Sequence, residues 1–223
     1  MVNDTETAHQ AWDETWKSEN GRAIWLDPEE DVRDLVGKLK AADTVKALDL
    51  GCGVGRHAVY LASQGFETYA LDGSETGIEH ARQQTEKAGL EIDFRVGMMT
   101  DLPFDDAMFD YVLAFNVIYH GDPKTVGKAI SEIRRILKAG GTYQGTMLSK
   151  RNDHFGKGEE IEKDTFIYDH DGTGDEAHPH FYCNARELVE LFDGFELQKL
   201  LDVDHSHRRP EHWHWHLVAE RLA

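Results

Sequence analysis

Apolar positions along the chain change their spacing several times, and each change predicts an element. Between residues 7 and 17, Trp12 and Trp16 stand four apart, the spacing of an apolar stripe on a short helix. Asp27-Pro28-Glu29-Glu30 reads as a helix start, with Asp27 as N-cap, Pro28 in the first turn and Glu30 at the capping-box position. Val32, Leu35, Val36 and Leu39 give that helix one buried face. From residue 45 short apolar runs alternate with helical periods. Strands are predicted at 45–50, 67–72, 92–96, 111–116 and 142–148, and helices at 56–64, at 75–88 and from Pro123. Gly65 and Gly89 stop the first two helices. Gly140-Gly141 closes the third, whose Val126, Ile130, Ile133 and Leu137 share a face. A further helix at 184–192 and strands at 195–203 and 212–220 follow.

Strands alternating with helices predict an α/β fold, a parallel sheet with helices on both faces. Ligands of such sheets bind beyond the carboxyl ends of the strands, at the topological switch point. We divide one domain into a cap at 1–42, a core at 43–148, an insertion at 149–183 and a C-terminal helix and hairpin at 184–223. The insertion breaks the rhythm and leaves a strand on the ligand side of the sheet. Its Phe155, Phe166, Tyr168, Phe181 and Tyr182 predict an ordered lid or substrate-binding segment, because disordered segments carry few aromatics.

Charge and composition then narrow the partners. Forty-two acidic against 24 basic residues give a formal charge of −18, which argues against nucleic acid as a partner. No run of about 18 apolar residues is present, so no membrane span is expected, and the start lacks a signal pattern. Two cysteines, Cys52 and Cys183, cannot build a disulfide framework. A cytoplasmic protein is the expectation.

The candidate chemistry starts at Leu48-Asp49-Leu50-Gly51-Cys52-Gly53-Val54-Gly55, a strand running into three alternate glycines before a helix. Glycine has no Cβ, so main chain and a helix N-terminus can approach a ligand there. Asp72 ends the next strand, where a nucleotide-binding unit places its ribose acid. The glycines depart from the dinucleotide fingerprint G-x-G-x-x-G, and Leu102-Pro103-Phe104 follows downstream. Over residues 45–148 this combination resembles the class I S-adenosylmethionine-dependent methyltransferases, especially the small-molecule group with the Leu-Pro-Phe segment. The tellurite-resistance type and general metabolite methyltransferases look nearest.

That resemblance implies a Rossmann-like seven-stranded sheet in the order 3-2-1-4-5-7-6, with the last strand antiparallel, and S-adenosyl-L-methionine as cofactor. Gly51, Cys52, Gly53 and Gly55 would face its methionine and ribose portions, Asp49 would position the turn and the ligand's ammonium, and Asp72 would accept both ribose hydroxyls. Arg56 and Gly73 flank that site. The family's adenine-reading acid is replaced by Met98, so Met98 and Met99 are expected to hold the ring by apolar and backbone contact, with Asp101 a possible substitute acid. Asn116 is expected to touch the cofactor chiefly through backbone, and Tyr119 and His120 to face the acceptor.

Nine histidines crowd the C-terminal third. His178-Pro179-His180 lies where a substrate would sit, with Glu160, Glu162 and Arg151 in the same segment. Tyr119, His120 and His180 are the catalytic candidates, and Trp25, Arg151 and His178 the substrate candidates. Trp25 is the preferred lid residue beside Trp12 and Trp16. His212, His214 and His216 alternate with Trp213, Trp215 and Leu217 and are read as a solvated sheet face opposite an aromatic buried one, not as metal ligands. His205 and His207 would pair across the hairpin. A nicotinamide-dependent oxidoreductase and a non-catalytic S-adenosylmethionine-binding protein are the rival readings.

Overall fold

A computed structural model of the chain describes residues 5–40, 45–168, 174–205 and 211–223. His170 and His207 lie outside the described residues.

Helices α1 (His9–Trp16), α2 (Glu19–Arg22) and α3 (Glu30–Leu39) form the N-terminal cap, with a 3-10 turn at Ala23–Trp25. Glu29, not Asp27, stands at the N-cap of α3. Tertiary contacts explain the shift: Arg56 donates to the Asp27 carbonyl at 3.3 Å and pairs with the Glu29 carboxylate at 2.9 Å. Val32 and Val36 are fully buried as expected, and Leu35 and Leu39 partly so.

The core runs β1 (Lys46–Leu50), α4 (Arg56–Ser63), β2 (Glu67–Asp72), α5 (Glu75–Ala88), β3 (Asp93–Val96), β4 (Phe109–Ala114), α6 (Pro123–Ile136) and β5 (Leu137–Ser149). Two boundaries differ from the pattern. β4 begins at Phe109, and α6 ends at Ile136 because Leu137 already pairs with Phe109. Gly140-Gly141 therefore lies inside β5 rather than closing the helix.

The insertion contributes β6 (Glu159–Glu162), β7 (Thr165–Ile167), a 3-10 turn at Asp175–Ala177 and β8 (His180–Cys183). Helix α7 (Ala185–Leu191) follows, capped reciprocally by Asn184 and Glu187, then β9 (Phe195–Asp204) and β10 (Trp213–Arg221). β3, β2, β1, β4 and β5 are parallel neighbours; β10 then pairs antiparallel with β5, and β9 with β10. This is the expected α/β order, with three short strands added where β8 joins the end of β5 through Leu148 and Ser149. Val126, Ile130, Ile133 and Leu188 of α6 and α7 pack in one cluster, while Val32, Val36 and Leu61 of α3 and α4 pack in another.

One expectation about the hairpin is reversed. His205, His214 and His216 are buried, and Trp213 and Trp215 are only half-buried. The histidine face turns inward because α3 supplies a polar partner: His216 Nδ1 meets Asp31 Oδ2 at 2.8 Å, and His216 Nε2 meets His205 Nε2 at 2.6 Å. His216 holds the Asp31 carboxyl down at about 2, against the opposing effect of its partial burial. Among the described residues no helix is long and apolar enough to cross a membrane.

Candidate active site

Three glycines carry β1 into α4 with φ of +67°, +51° and +86° at Gly51, Gly53 and Gly55, the left-handed region that favours glycine. A Cβ on Gly51 would sit 2.3 Å from Val117 Cγ2, and one on Gly53 3.1 Å from Trp16 Cζ2. The bare backbone of these two residues forms a floor. Asp72, at the end of β2, fixes it: Oδ2 accepts the Gly53 N–H and Oδ1 the Ser74 N–H, both at 2.7 Å. Each carboxylate oxygen retains capacity for a second donor. Burial raises the Asp72 pKa, opposed by those two N–H groups.

Above this floor lies an open cleft of about 880 Å³, the solvent at its mouth included. One side is Leu71, Gly73, Gly97, Met98 and Met99; the far end is Asn116, Val117 and His120. Trp12, Trp16 and Trp25 roof it, with ring centroids 4.9, 5.3 and 6.1 Å apart. Asp13 pins the roof to α5 by accepting from the Ser74 hydroxyl at 2.7 Å and the Thr76 N–H at 2.9 Å.

The expected cofactor residues divide. Gly51, Cys52, Gly53, Arg56, Asp72, Gly73, Met98, Met99 and Asn116 line the cavity. Gly55 does not: a Cβ there would lie 2.6 Å from Ala81 Cβ, so it serves close packing of α4 on α5. Asp49 also lines neither cavity, because side chains alternate across β1 and its carboxyl faces α4. Burial pushes that carboxyl up to about 7, against Arg56 and the Ala58 N–H. Burial likewise raises the Cys52 thiol well above its ordinary value, leaving it neutral. Arg56 is largely engaged by Glu29 and stacks over Trp25 at 5.1 Å. The Asn116 N–H donates to Thr146 Oγ1 at 2.8 Å and its side-chain oxygen accepts from the same hydroxyl at 2.9 Å, so Thr146 fixes Asn116 at the cavity wall with φ +60°. Asp101 is exposed and lines neither cavity; Glu6 lines the first cavity beside Met98, with its carboxylate accepting from the Thr100 hydroxyl and N–H.

A second cavity of about 940 Å³ adjoins the first and shares Trp12, Trp25 and Asn116 with it. Tyr119, Asn152, His154, Tyr168, Asp175 and His180 are among its walls, and His205 and His212 close the hairpin side. The insertion thus builds a chamber against the strand ends. Tyr119, His120 and His180 come together: the His120 and His180 ring centroids are 4.8 Å apart, and Tyr119 lies 4.5 Å from His120. Asp175 Oδ2 sits 3.6 Å from His120 Nε2 and 3.5 Å from His180 Nε2. Burial lowers the pKa of His120, and although burial also pulls on His180, Asp175 more than reverses this and raises it. Asp175 in turn falls well below the usual carboxylate range, its burial outweighed by the two imidazoles.

Other expectations fall away from the chamber. His178 lines neither cavity, and its Nδ1 meets Thr7 Oγ1 at 2.9 Å. Arg151 stacks on Trp213 at 3.4 Å on the outer surface and lines neither cavity. Glu160 and Glu162 are exposed on β6. Conversely Glu6, Asn152 and Asp175 carried no sequence signal, because each reaches the site only through tertiary folding.

Residues 47–141 match the family model of a methyltransferase domain. The chain is 31% identical over 161 residues to a probable S-adenosylmethionine-dependent methyltransferase of Mycolicibacterium smegmatis, covering 71% of this chain and 55% of that protein. It is 28% identical over 154 residues to a ubiquinone biosynthesis O-methyltransferase of Nitrobacter winogradskyi, covering 66% of this chain and 58% of that one. The chain spans between 30% and 58% of the length of these and similar curated relatives. A solved S-adenosylmethionine-dependent methyltransferase of Methanosarcina mazei superposes with a TM-score of 0.71 at 22% identity, covering 88% of this chain and 99% of that chain. Magnesium protoporphyrin IX methyltransferase of Synechocystis, solved with bound S-adenosylmethionine, superposes at 0.68 with 16% identity and covers 99% of this chain and 100% of that chain.

Proposed function

We propose that this chain, a class I S-adenosylmethionine-dependent methyltransferase by family, transfers a methyl group from S-adenosylmethionine to a small molecule held in the second cavity. The observation that carries the reading is the junction of the two cavities. A glycine floor with an acidic clasp opens, past Trp12, Trp25 and Asn116, into a separate chamber. Methyl transfer needs donor and acceptor in line, and two adjoining compartments meet that need.

The residues fit the cofactor. Asp72 has acceptor capacity for two vicinal hydroxyls, and a bidentate fit is the strong form of that contact. Leu71, Met98 and Met99 offer an apolar slot for a flat ring, and Glu6 brings an acid to the end where position 98 lacks one. The bound sulfonium supplies an electrophilic methyl group. Cys52 stays a neutral thiol, and the tryptophan roof excludes water from the charged centre. At the junction Tyr119 and His180 line the chamber and His120 borders the first cavity, and these three are the residues we assign to handling the acceptor.

Calorimetric titration with S-adenosylhomocysteine and, separately, with NAD tests the reading. Saturable binding of the first alone is expected; binding of NAD in its place removes the proposal.

A further inference from the structure

We propose that His120, Asp175 and His180 bind one first-row divalent metal ion, open towards the second cavity, where it coordinates the donor atom of the methyl acceptor. The acceptor part rests on the reading of that cavity given above; the ion site itself does not.

Three separate segments build the site: the loop after β4, the 3-10 turn of the insertion and the first residue of β8. Backbone pairing locks two of them together. The Phe181 N–H donates to the Tyr119 carbonyl at 2.9 Å, and the Gly121 N–H to the Pro179 carbonyl at 2.9 Å. Each imidazole is then anchored through Nδ1, His120 on the Val117 carbonyl and His180 on the His178 carbonyl, both at 2.8 Å. A carbonyl can only accept, so Nδ1 carries the proton and Nε2 presents a lone pair in the neutral ring. This is the outer support that metal-bound histidines generally have.

The two Nε2 atoms lie 3.6 and 3.5 Å from Asp175 Oδ2, and the three ligand atoms lie within 4.8 Å of one another. Charge-assisted hydrogen bonds run at about 2.7–2.9 Å, so these contacts are too long to be such bonds. Donors that share one tetrahedral ion at about 2.0–2.1 Å are separated by about 3.4 Å, which the two nitrogen–oxygen distances match. Among the described residues, His120 Nε2 is buried with no hydrogen-bond partner. The three donor atoms are close enough to share one ion.

Two imidazoles and one carboxylate suit zinc, iron(II), cobalt or nickel better than magnesium or calcium, which favour all-oxygen shells. Three protein ligands leave coordination positions open. His120 borders the first cavity, while Asp175 and His180 border the second, so an open position faces the boundary between them. The acceptors that fit are those with a hydroxyl or thiol flanked by a second donor atom, able to chelate. An ion there would act as a Lewis acid on that hydroxyl or thiol.

The test uses the full chain stripped with a chelator and titrated with zinc or cobalt(II) by calorimetry. Cobalt(II) visible absorption is recorded in parallel, and S-adenosylhomocysteine affinity is measured for every variant. One equivalent should bind, giving the absorption of a four- or five-coordinate ion. Loss of an outer support alone weakens metal sites about 10–100-fold, so Asp175→Asn and His180→Ala should each weaken binding at least that much. Both should keep the wild-type circular dichroism. His205→Gln, on the facing wall, should bind the ion as the wild type does. The inference is overturned by a wild type that takes up no ion, by an Asp175→Asn that binds as tightly as wild type, or by binding that disappears in His205→Gln. Ion uptake without S-adenosylhomocysteine affinity keeps the metal site and removes the cofactor reading instead; the reverse removes only the metal site.

Discussion

The floor of the first cavity is main chain from one continuous strand–turn–helix–strand unit, whereas the walls of the second come from segments as distant as Trp12 and His212. The first region is shaped by what it lacks, since two glycines clear the space and a single carboxylate ties the turn. The second is shaped by what it gathers: tyrosine, asparagine, histidine and acid from the β4 loop, the insertion and the hairpin. On the proposed reading, the cofactor's grip and the acceptor's chamber are thereby built from different parts of the chain. The insertion is the means, because it leaves β5 on the ligand side and returns through β8 beside the same strand end.

The sharpest way to break this contrast is Gly53→Val. A β-branched residue at φ +51°, with its Cβ 3.1 Å from Trp16, should abolish S-adenosylhomocysteine binding by calorimetry, a loss of more than about 100-fold. Wild-type affinity in that variant would remove the bare-floor argument.

A second effect appears in stability. The Asp49 carboxyl ionises near its ordinary 3.8 in the unfolded chain but only at about 7 when folded. Its contribution is fully present below pH 3.8 and is lost as pH rises through 7, because the unfolded chain then holds fewer protons. Asp49→Asn should flatten the curve. Urea unfolding between pH 4 and 8 should show the wild type losing up to about 4 kcal/mol relative to the variant. Parallel curves for the two proteins would contradict this.

Asp72→Ala removes an acceptor used by the turn and offered to a ribose. A cofactor affinity lower by about 10–100-fold is expected, the equivalent of one or two charge-assisted hydrogen bonds. Glu6→Gln should weaken it only several-fold, about 1 kcal/mol, if Glu6 serves the adenine end. Arg151→Ala should leave both cofactor affinity and acceptor KM unchanged, since Arg151 stacks on Trp213 outside the chamber. A raised KM would return it to the acceptor site.

The same contrast explains what the sequence disclosed. The glycine turn, Asp72 and the alternation from β1 to α6 are local patterns, so the starts of these elements could be read within a residue or two. Gly55 and Asp49 belong to the same motif yet face away, because a motif records positions and not the side of the strand or helix on which each is spent. The hairpin histidines were misread for a different reason. Alternation shows which residues share a face, but only the packing of α3, with Asp31 beneath His216, decides which face is buried. Asp175 and Glu6 had no periodic neighbours at all, and their roles arise from contacts across the whole chain. Polar insertions therefore hide their functional residues better than strands do.

A crystal structure of the chain with S-adenosylhomocysteine tests the central claim most directly. The account predicts ribose hydroxyls on Asp72, the adenine ring between Leu71 and Met98, and the thioether sulfur directed past Asn116 towards Tyr119 and His180. A nucleoside bound elsewhere, or a sulfur turned away from the second cavity, would contradict it.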